Sequence, residues 1–154
     1  MSVLHLARAL LLASCLTAAA MAQAAAPDEL LDLGQYRGKV VLLDFWASWC
    51  APCLQSFPWM QQLHERYASQ GLVIIAVNLD HERRLADRFL IAQHPAFTVL
   101  FDPEGRVAQR YDIGSMPASI ILDRSGRVRS TRAGFRGSES LAAEHELAAI
   151  IAEH

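Results

Sequence analysis

Apolar runs and amphipathic stretches alternate along the chain. Residues 40–46 and 72–79 are nearly all apolar and rich in β-branched side chains, which predicts strands buried on both faces of a sheet. Between them, apolar positions recur every three or four residues over residues 53–67, which predicts a helix that Gly71 ends. Pro58 should kink this helix without abolishing it. The order of elements is that of an α/β domain.

The alternation continues in shorter elements. Residues 82–93 fit a second helix, closed by the His-Pro pair at residues 94–95. Residues 97–101 fit a short strand, which ends at the turn-forming residues 102–105. A short helical or irregular piece is expected around residues 107–111.

The C-terminal part is predicted to form a hairpin followed by a helix. A strand at residues 118–122 should turn at Ser125 and Gly126 into residues 127–133, forming an antiparallel hairpin. Ser138 is expected to cap the last helix. The apolar side of that helix is predicted to consist of Leu141, Leu147, Ala148, Ile150 and Ile151.

The first 24 residues have the pattern of a secretory signal peptide. They carry Arg8, an apolar run over residues 9–20, no acidic residue, and a small-x-small cleavage site at residues 22–24. We expect cleavage after Ala24, an exported or periplasmic location, and a domain over residues 27–154. Residues 12–15, Leu-Ala-Ser-Cys, also resemble a lipoprotein processing site, so a lipid anchor on Cys15 is the alternative.

Size and charge limit the classes of function. About 130 residues remain after the signal, which is enough for one domain, and a monomer is expected. The remaining chain has 13 basic residues against 16 acidic ones, a net charge of −3, so nucleic acid is not a predicted partner. One basic run could bind an acidic partner or lipid, or form a solvated hairpin edge: Arg124, Arg127, Arg129, Arg132 and Arg136.

Cys50 and Cys53 are the cysteines that survive removal of the signal, because the third, Cys15, lies within it. Their Cys-x-x-Cys spacing at a predicted helix start suits a disulfide that opens and closes, and the helix N-terminus favours a thiolate on Cys50, the predicted nucleophile. A permanently closed disulfide and a zinc site are the alternatives. No metal is predicted, since the histidines at 64, 81, 94 and 145 are scattered singly.

Residues 38–53, the Phe-Pro pair at residues 57–58 and the Met-Pro pair at residues 116–117 resemble the thioredoxin fold, and within it the exported disulfide reductases of the TlpA and ResA type. The resemblance covers residues 30–152. It implies a central mixed β-sheet flanked by helices, with a helix-strand insertion at residues 82–101 after the second core strand. The segment before residue 40 looks shorter than in many relatives.

Asp44 is an acid inside an apolar strand, where burial raises a carboxyl pKa and makes proton exchange near neutral pH possible. The resemblance matches it to the buried acid of thioredoxin, so we interpret it as the proton handler for Cys53. The alternative is that it caps a strand edge or pairs with Lys39. Ser56 stands where some relatives have a glutamate, so a role for that glutamate does not transfer.

The resemblance also implies a cis peptide bond before Pro117, which would present the Met116 backbone to an extended substrate. We expect an apolar rim around Cys50, and we assign Phe45, Trp46 and Trp59 to packing. The rim would consist of Trp49, Ala51, Pro52, Gly114 and Met116.

The Ala-Pro pair between the cysteines lacks the histidine of strongly oxidising relatives, which favours a reductase over an oxidase. The resemblance implies client disulfides in apocytochrome c, copper-site proteins or misformed proteins, and recharging by a membrane electron donor of the DsbD or CcdA type. No cofactor is expected. The alternatives are a copper or haem-pathway chaperone that binds through Cys50 and Met116, and a disulfide-forming oxidase.

Overall fold

A computed structural model of the protein describes residues 30–153, except for the side chains of Ser138 and Glu139. The predicted signal peptide and Cys15 lie outside the described residues. The strands are β1 (Val40–Trp46), β2 (Leu72–Asn78), β3 (Thr98–Phe101), β4 (Ala118–Leu122) and β5 (Val128–Ala133). The α-helices are α1 (Ala51–Tyr67), α2 (Arg83–Gln93), α3 (Arg106–Arg110) and α4 (Gly137–Ala152), and 3-10 turns span Leu33–Tyr36 and Ala68–Gln70.

The five strands form one mixed sheet in the order β3-β2-β1-β4-β5. β2 pairs in parallel with β1 and with β3, whereas β4 is antiparallel to both β1 and β5. The predicted fold, a mixed sheet flanked by helices, is confirmed. The predicted insertion is also present, because α2 and β3 follow β2 and extend the sheet at one edge.

Side chains of β1 alternate between two cores, one on each face of the sheet. Leu42 and Trp46 pack with residues of α1 and α4, whereas Leu43 and Phe45 pack on the opposite face with Val107 of α3. All seven residues of β1 are buried, as its continuous apolar pattern predicts. Asp44 is the one polar residue of this strand. Because β1 is the central strand, Asp44 lies in the middle of the sheet.

Helix α1 begins at Ala51, two residues earlier than the apolar periodicity predicts. Pro52 lies in its first turn, where a proline costs no hydrogen bond. Pro58 lies inside the helix and does not end it. The helix passes through a 3-10 turn to Gly71, whose φ of 97° reverses the chain and leads into β2.

Two expectations for helix α4 were wrong. The helix begins at Gly137 with Arg136 as its N-cap residue, so Ser138 lies within the first turn instead of capping it. Leu141 is 65% exposed, whereas Leu147, Ile150 and Ile151 are buried. Leu147 is six positions after Leu141, and at 3.6 residues per turn this spacing places them on different sides of the helix.

The basic run of the C-terminal hairpin is bound within the chain. The guanidinium of Arg124 donates to the carbonyl oxygens of Gly38 at 2.7 Å and Ile151 at 2.9 Å. Ion pairs join Arg127 to Asp123, Arg129 to Glu153 and Arg132 to Glu146. These contacts connect the hairpin to the last helix and the chain end.

Candidate active site

A short loop joins the end of β1 to Cys50, which lies at the start of α1. Cys50 is the N-cap residue of the helix, with extended backbone angles, and its N–H donates to the carbonyl of Ala47 at 3.1 Å. Because residues three apart on a helix are neighbours, Cys53 lies beside it one turn later. The two residues form a disulfide, with 5.2 Å between their Cα atoms.

The two cysteines differ in exposure. Cys50 is 6% exposed, whereas Cys53 is completely buried. Exposed residues surround Cys50, because Trp49 is 68% exposed and Ala51 and Pro52 also face solvent. Cys50 is therefore the more accessible of the two cysteines. The partial positive charge of the helix N-terminus also stabilises a thiolate on Cys50 when the disulfide is open.

The peptide bond between Met116 and Pro117 is cis, as the resemblance implies. Pro117 is buried, and its carbonyl accepts a hydrogen bond of 2.7 Å from the N–H of Gly134, in the loop after β5. Met116 is half-buried and packs against the hydrophobic cluster that contains both cysteines. Gly114 is exposed in the same loop. The cis-proline loop therefore adjoins the disulfide on one side and the β5–α4 loop on the other.

Asp44 is 3% exposed and lies in the central strand, opposite Ala76 on β2 and Ser119 on β4. Burial raises its pKa to about 8, and a hydrogen bond from the Ser56 hydroxyl acts in the opposite direction. The alternative role that paired it with Lys39 or placed it on a strand edge was wrong, since Lys39 does not influence this carboxyl and β1 has neighbours on both sides.

Ser56 lies next to both Asp44 and the backbone of the buried Cys53. It is completely buried in α1, and its hydroxyl donates to the carbonyl of Cys53 at 2.8 Å. A hydroxyl carries a single hydrogen, so Ser56 can donate either to this carbonyl or to the Asp44 carboxylate. Sequence reasoning treated Ser56 only as a missing glutamate. Its position three residues after Cys53, one helical turn on, is the signal that could have placed it beside the disulfide.

A polar network that sequence reasoning missed fixes the loop before Cys50. The Asp80 carboxylate accepts hydrogen bonds from the N–H and the hydroxyl of Ser48, both at 2.9 Å, and from the side chain of Asn78 at 2.8 Å. Asp80 and Asn78 are buried. Parallel strands end at the same edge of a sheet, so polar residues after β1 and β2 should meet there, and this pattern was the available signal.

Aromatic side chains pack in the hydrophobic cluster that contains the disulfide. Trp46 contacts Phe57 edge to face with ring centroids 4.8 Å apart, and Phe89 of the insertion contacts both rings at 5.3 and 4.8 Å. Phe45 and Trp46 are core residues, as predicted. Trp59 is half-buried and packs against Phe135, with centroids 5.7 Å apart.

None of the helices within residues 30–153 combines the length and the apolar character that a membrane span needs. Within the same residues, no cluster of three or more histidine, cysteine, aspartate and glutamate side chains is arranged to hold a metal ion.

The mixed sheet, the Cys50–Cys53 disulfide at a helix start and the cis-Pro117 together define a thioredoxin-like protein with a dithiol site. The sequence matches the Redoxin family over residues 14–151. The chain therefore belongs to the Redoxin family, as a thioredoxin-like member of the TlpA and ResA type.

Relatives and solved structures agree with this assignment. The chain is 32% identical to the thiol-disulfide oxidoreductase ResA of Geobacillus kaustophilus over 109 residues, which are 71% of this chain and 63% of that protein. A crystal structure of a Chlorobium tepidum protein assigned as the thiol:disulfide interchange protein DsbE has 44% identity and a TM-score of 0.76, covering 77% of this chain and 84% of that one. StoA from Bacillus subtilis has 27% identity and a TM-score of 0.61, covering 70% and 82%. The chain thus spans less than two thirds of the length of the ResA relative.

Proposed function

We propose that this chain is an exported thiol:disulfide oxidoreductase that reduces disulfide bonds of client proteins. The observation that carries the proposal is the asymmetric disulfide at the start of α1, in which Cys50 is 6% exposed beside solvent-facing residues and Cys53 is completely buried. A dithiol of this kind can exchange with one partner at a time through its more accessible sulfur. The names of the relatives, thiol-disulfide oxidoreductase and thiol:disulfide interchange protein, support it.

The reduced chain would act in two exchange steps. The Cys50 thiolate attacks one sulfur of the client disulfide, which forms a mixed disulfide and releases the other client sulfur as a thiolate. The Cys53 thiolate then attacks Cys50 Sγ, which closes the Cys50–Cys53 disulfide and releases the second client sulfur. Two electrons pass from the chain to the client. The client gains two protons, one from solvent and one that Cys53 has given up.

Asp44 is the proposed acceptor of the Cys53 proton. Its raised pKa, about 8, suits a group that exchanges protons near neutral pH, and its neighbour Ser56 lies one helical turn after Cys53. A carboxyl held in its neutral form below this pKa does not repel the approaching Cys53 thiolate. Asp44 would therefore control when Cys53 becomes a nucleophile.

The client segment would bind beside the cis-proline. An extended strand can pair with the backbone of Met116, which places its sulfur near Cys50, while Trp49, Ala51 and Pro52 contact its apolar side chains. Proposed clients are apocytochrome c, copper-site proteins and proteins with misformed disulfides. A membrane electron donor of the DsbD or CcdA type would return the two electrons.

The reduction potential tests the direction of electron transfer. Ala51 and Pro52 place no positive charge between the cysteines to stabilise the reduced thiolate, so we expect a value nearer to thioredoxin, at about −270 mV, than to DsbA, at about −120 mV. Equilibration of the purified protein with glutathione or dithiothreitol buffers measures it. A value above about −150 mV would identify an oxidase instead. The Cys50→Ser variant, which cannot close the disulfide, is the control.

A further inference from the structure

Buried polar side chains meet at the edge of the sheet where β1, β2 and β3 end. Asn78 is the last residue of β2, Asp80 follows two positions later, and Asp102 directly follows β3. Each of these three residues is at most 2% exposed. Burial of a polar group costs free energy unless hydrogen bonds satisfy it, so the partners of these residues show which segments they hold in place.

Asp80 binds the loop before Cys50. Its carboxylate accepts hydrogen bonds from the N–H and the hydroxyl of Ser48, and the N–H of Cys50 donates to the carbonyl of Ala47. Trp49 lies between these two bonded residues, and its side chain is one of those proposed to contact the client. The backbone of Trp49 is therefore fixed on both sides, on one of them by Asp80.

Asp102 binds the segment on the other side of the proposed client site. Its carboxylate accepts hydrogen bonds at 2.8 to 3.3 Å from the N–H groups of the first three residues of α3. After this helix, the N–H of Ile113 donates to the carbonyl of Ala108 at 2.9 Å, three residues before Met116. Asp102 therefore fixes the helix that leads into the cis-proline loop.

Asn78 joins the two sides. Its amide nitrogen donates to the Asp80 carboxylate at 2.8 Å, and its amide oxygen accepts from the N–H of Asp80 at 3.1 Å. Its backbone carbonyl accepts from the N–H of Asp102 at 2.8 Å. One hydrogen-bonded network, called the edge frame below, thus runs from the loop before Cys50 to the start of α3. It consists of Ser48, Asn78, Asp80 and Asp102.

We propose that the edge frame sets the width of the gap between Trp49 and the cis-proline loop, in which the client segment binds. Asp80 and Asp102 are positioning residues, because they act through the two segments that contact the client. This inference rests on the proposed function, since it assigns the client to that gap. A misplacement of about 1 Å can cost about 10²-fold in rate, so a loosened edge frame should weaken the reaction with a peptide client. A small disulfide needs only the Cys50 sulfur and should be affected much less.

The ratio of two rate constants tests the edge frame. The reduced, purified protein is mixed with a peptide that carries one intramolecular disulfide or with bis(2-hydroxyethyl) disulfide, which has no backbone to pair with. The peptide preference is the ratio of the two second-order rate constants. Asp80→Asn and Asp102→Asn should each lower it about tenfold, mainly by raising the peptide concentration that gives the half-maximal rate. Asparagine retains one acceptor oxygen, and each variant is measured below its unfolding transition.

Four outcomes would contradict the inference. A peptide preference that is unchanged in both variants would overturn the edge frame and leave the proposed function standing. An equal loss for the peptide and the small disulfide, or a loss in the maximal rate alone, would place the effect on Cys50 or on the whole fold. A lowered preference in only one variant would contradict a frame that joins both sides. If the unmodified protein reduces neither disulfide, the proposed function itself fails, and the inference fails with it.

Conservative and charge-matched variants complete the test. Ser48→Ala removes one hydrogen bond to Asp80 and should lose part of the peptide preference, whereas Ser48→Thr keeps the hydroxyl and should retain it. Equal losses in these two variants would show that the hydroxyl bond does not position the loop. Glu104→Gln removes an exposed acid that pairs with Arg106, outside the edge frame, and should keep the full preference. A loss in Glu104→Gln as large as in Asp102→Asn would overturn the assignment, because charge near α3 would then explain both.

Discussion

The hydroxyl of Ser56 donates to the carbonyl oxygen of Cys53 across 2.8 Å, inside the first two turns of α1. The same hydroxyl lowers the pKa of Asp44, which burial alone would raise further. Ser56 thus lies within hydrogen-bonding reach of the backbone of Cys53, the resolving cysteine, and of Asp44, its proposed proton acceptor. The sequence resemblance assigns no residue to this effect on the pKa of Asp44.

Replacement of Ser56 by alanine should raise the pKa of Asp44 above about 8, because the hydrogen bond that favours the carboxylate is lost. The carboxyl stretching band of Asp44, followed by infrared difference spectroscopy against Asp44→Asn, measures this pKa. Ser69→Ala, on the exposed turn after α1, is the control and should change nothing. A pKa that stays the same or falls in Ser56→Ala would remove Ser56 from the connection.

Replacement of Asp44 by asparagine should slow the attack of Cys53 on the mixed disulfide. General base catalysis contributes a factor of about 10² or more, so a loss of this order is expected near pH 8. In the unmodified protein the rate should rise as pH increases through the pKa of Asp44, about 8, because only the carboxylate accepts a proton. Stopped-flow measurements from pH 6 to 9 test this. A rate that is the same in both proteins across this range would exclude Asp44 from the mechanism.

Asp44 should also cost stability at neutral pH. Its pKa is about 3.8 in the unfolded chain and about 8 in the fold, so the folded state holds a proton that the unfolded state releases between these values. The contribution of Asp44 to the free energy of unfolding should therefore be highest below about pH 4, fall by up to about 1.4 kcal/mol per pH unit, and level off above pH 8.

Asp44→Asn removes this dependence, and its stability advantage should grow from pH 4 to pH 8. Urea unfolding of the oxidised protein measures it at each pH. Asp112→Asn, at an exposed position, is the matched control and should follow the unmodified protein. If Asp44→Asn differs from the unmodified protein by the same amount at every pH, the raised pKa is contradicted.

The network around Asp80 gives a separate prediction. Asp80→Asn weakens the hydrogen bonds that hold Ser48, and we expect a loss of about 1–3 kcal/mol in the free energy of unfolding. The loop before Cys50 should also loosen, so the Cys50 thiol of the reduced protein should be alkylated at a changed rate. Ser48→Ala, which removes only the hydroxyl bond, should cause a smaller loss. Identical stabilities for Asp80→Asn and the unmodified protein would show that the network does not fix the loop.

Sequence patterns predicted the central strands β1, β2 and β4 well because these strands are almost entirely buried. β1 and β4 have the expected bounds, because strands that are buried on both faces have nearly continuous apolar sequences. Helix ends were less accurate. The start of α1 at Ala51 depends on backbone geometry at Cys50, and the exposure of Leu141 depends on which side of α4 meets the sheet.

The cysteine pair and Asp44 could be identified from the sequence because each is a local feature, whereas the cis peptide bond before Pro117 was implied by the family resemblance. The row of Asp44, Ser119 and Arg132 across β1, β4 and β5 could not be identified, because it depends on the strand register. These residues are 13 to 88 positions apart in the chain, and no local pattern connects them. The same is true of Ser48 and Asp80, which meet only because β1 and β2 are parallel.

The central claim is that Cys50 attacks the client and Cys53 resolves the mixed disulfide. Reaction of each single-serine variant with a disulfide peptide, followed by mass spectrometry of the intact protein, tests it most directly. The account predicts that Cys53→Ser accumulates a mixed disulfide through Cys50, whereas Cys50→Ser forms almost none because Cys53 is buried. Equal amounts of adduct in the two variants, or an adduct only in Cys50→Ser, would contradict it.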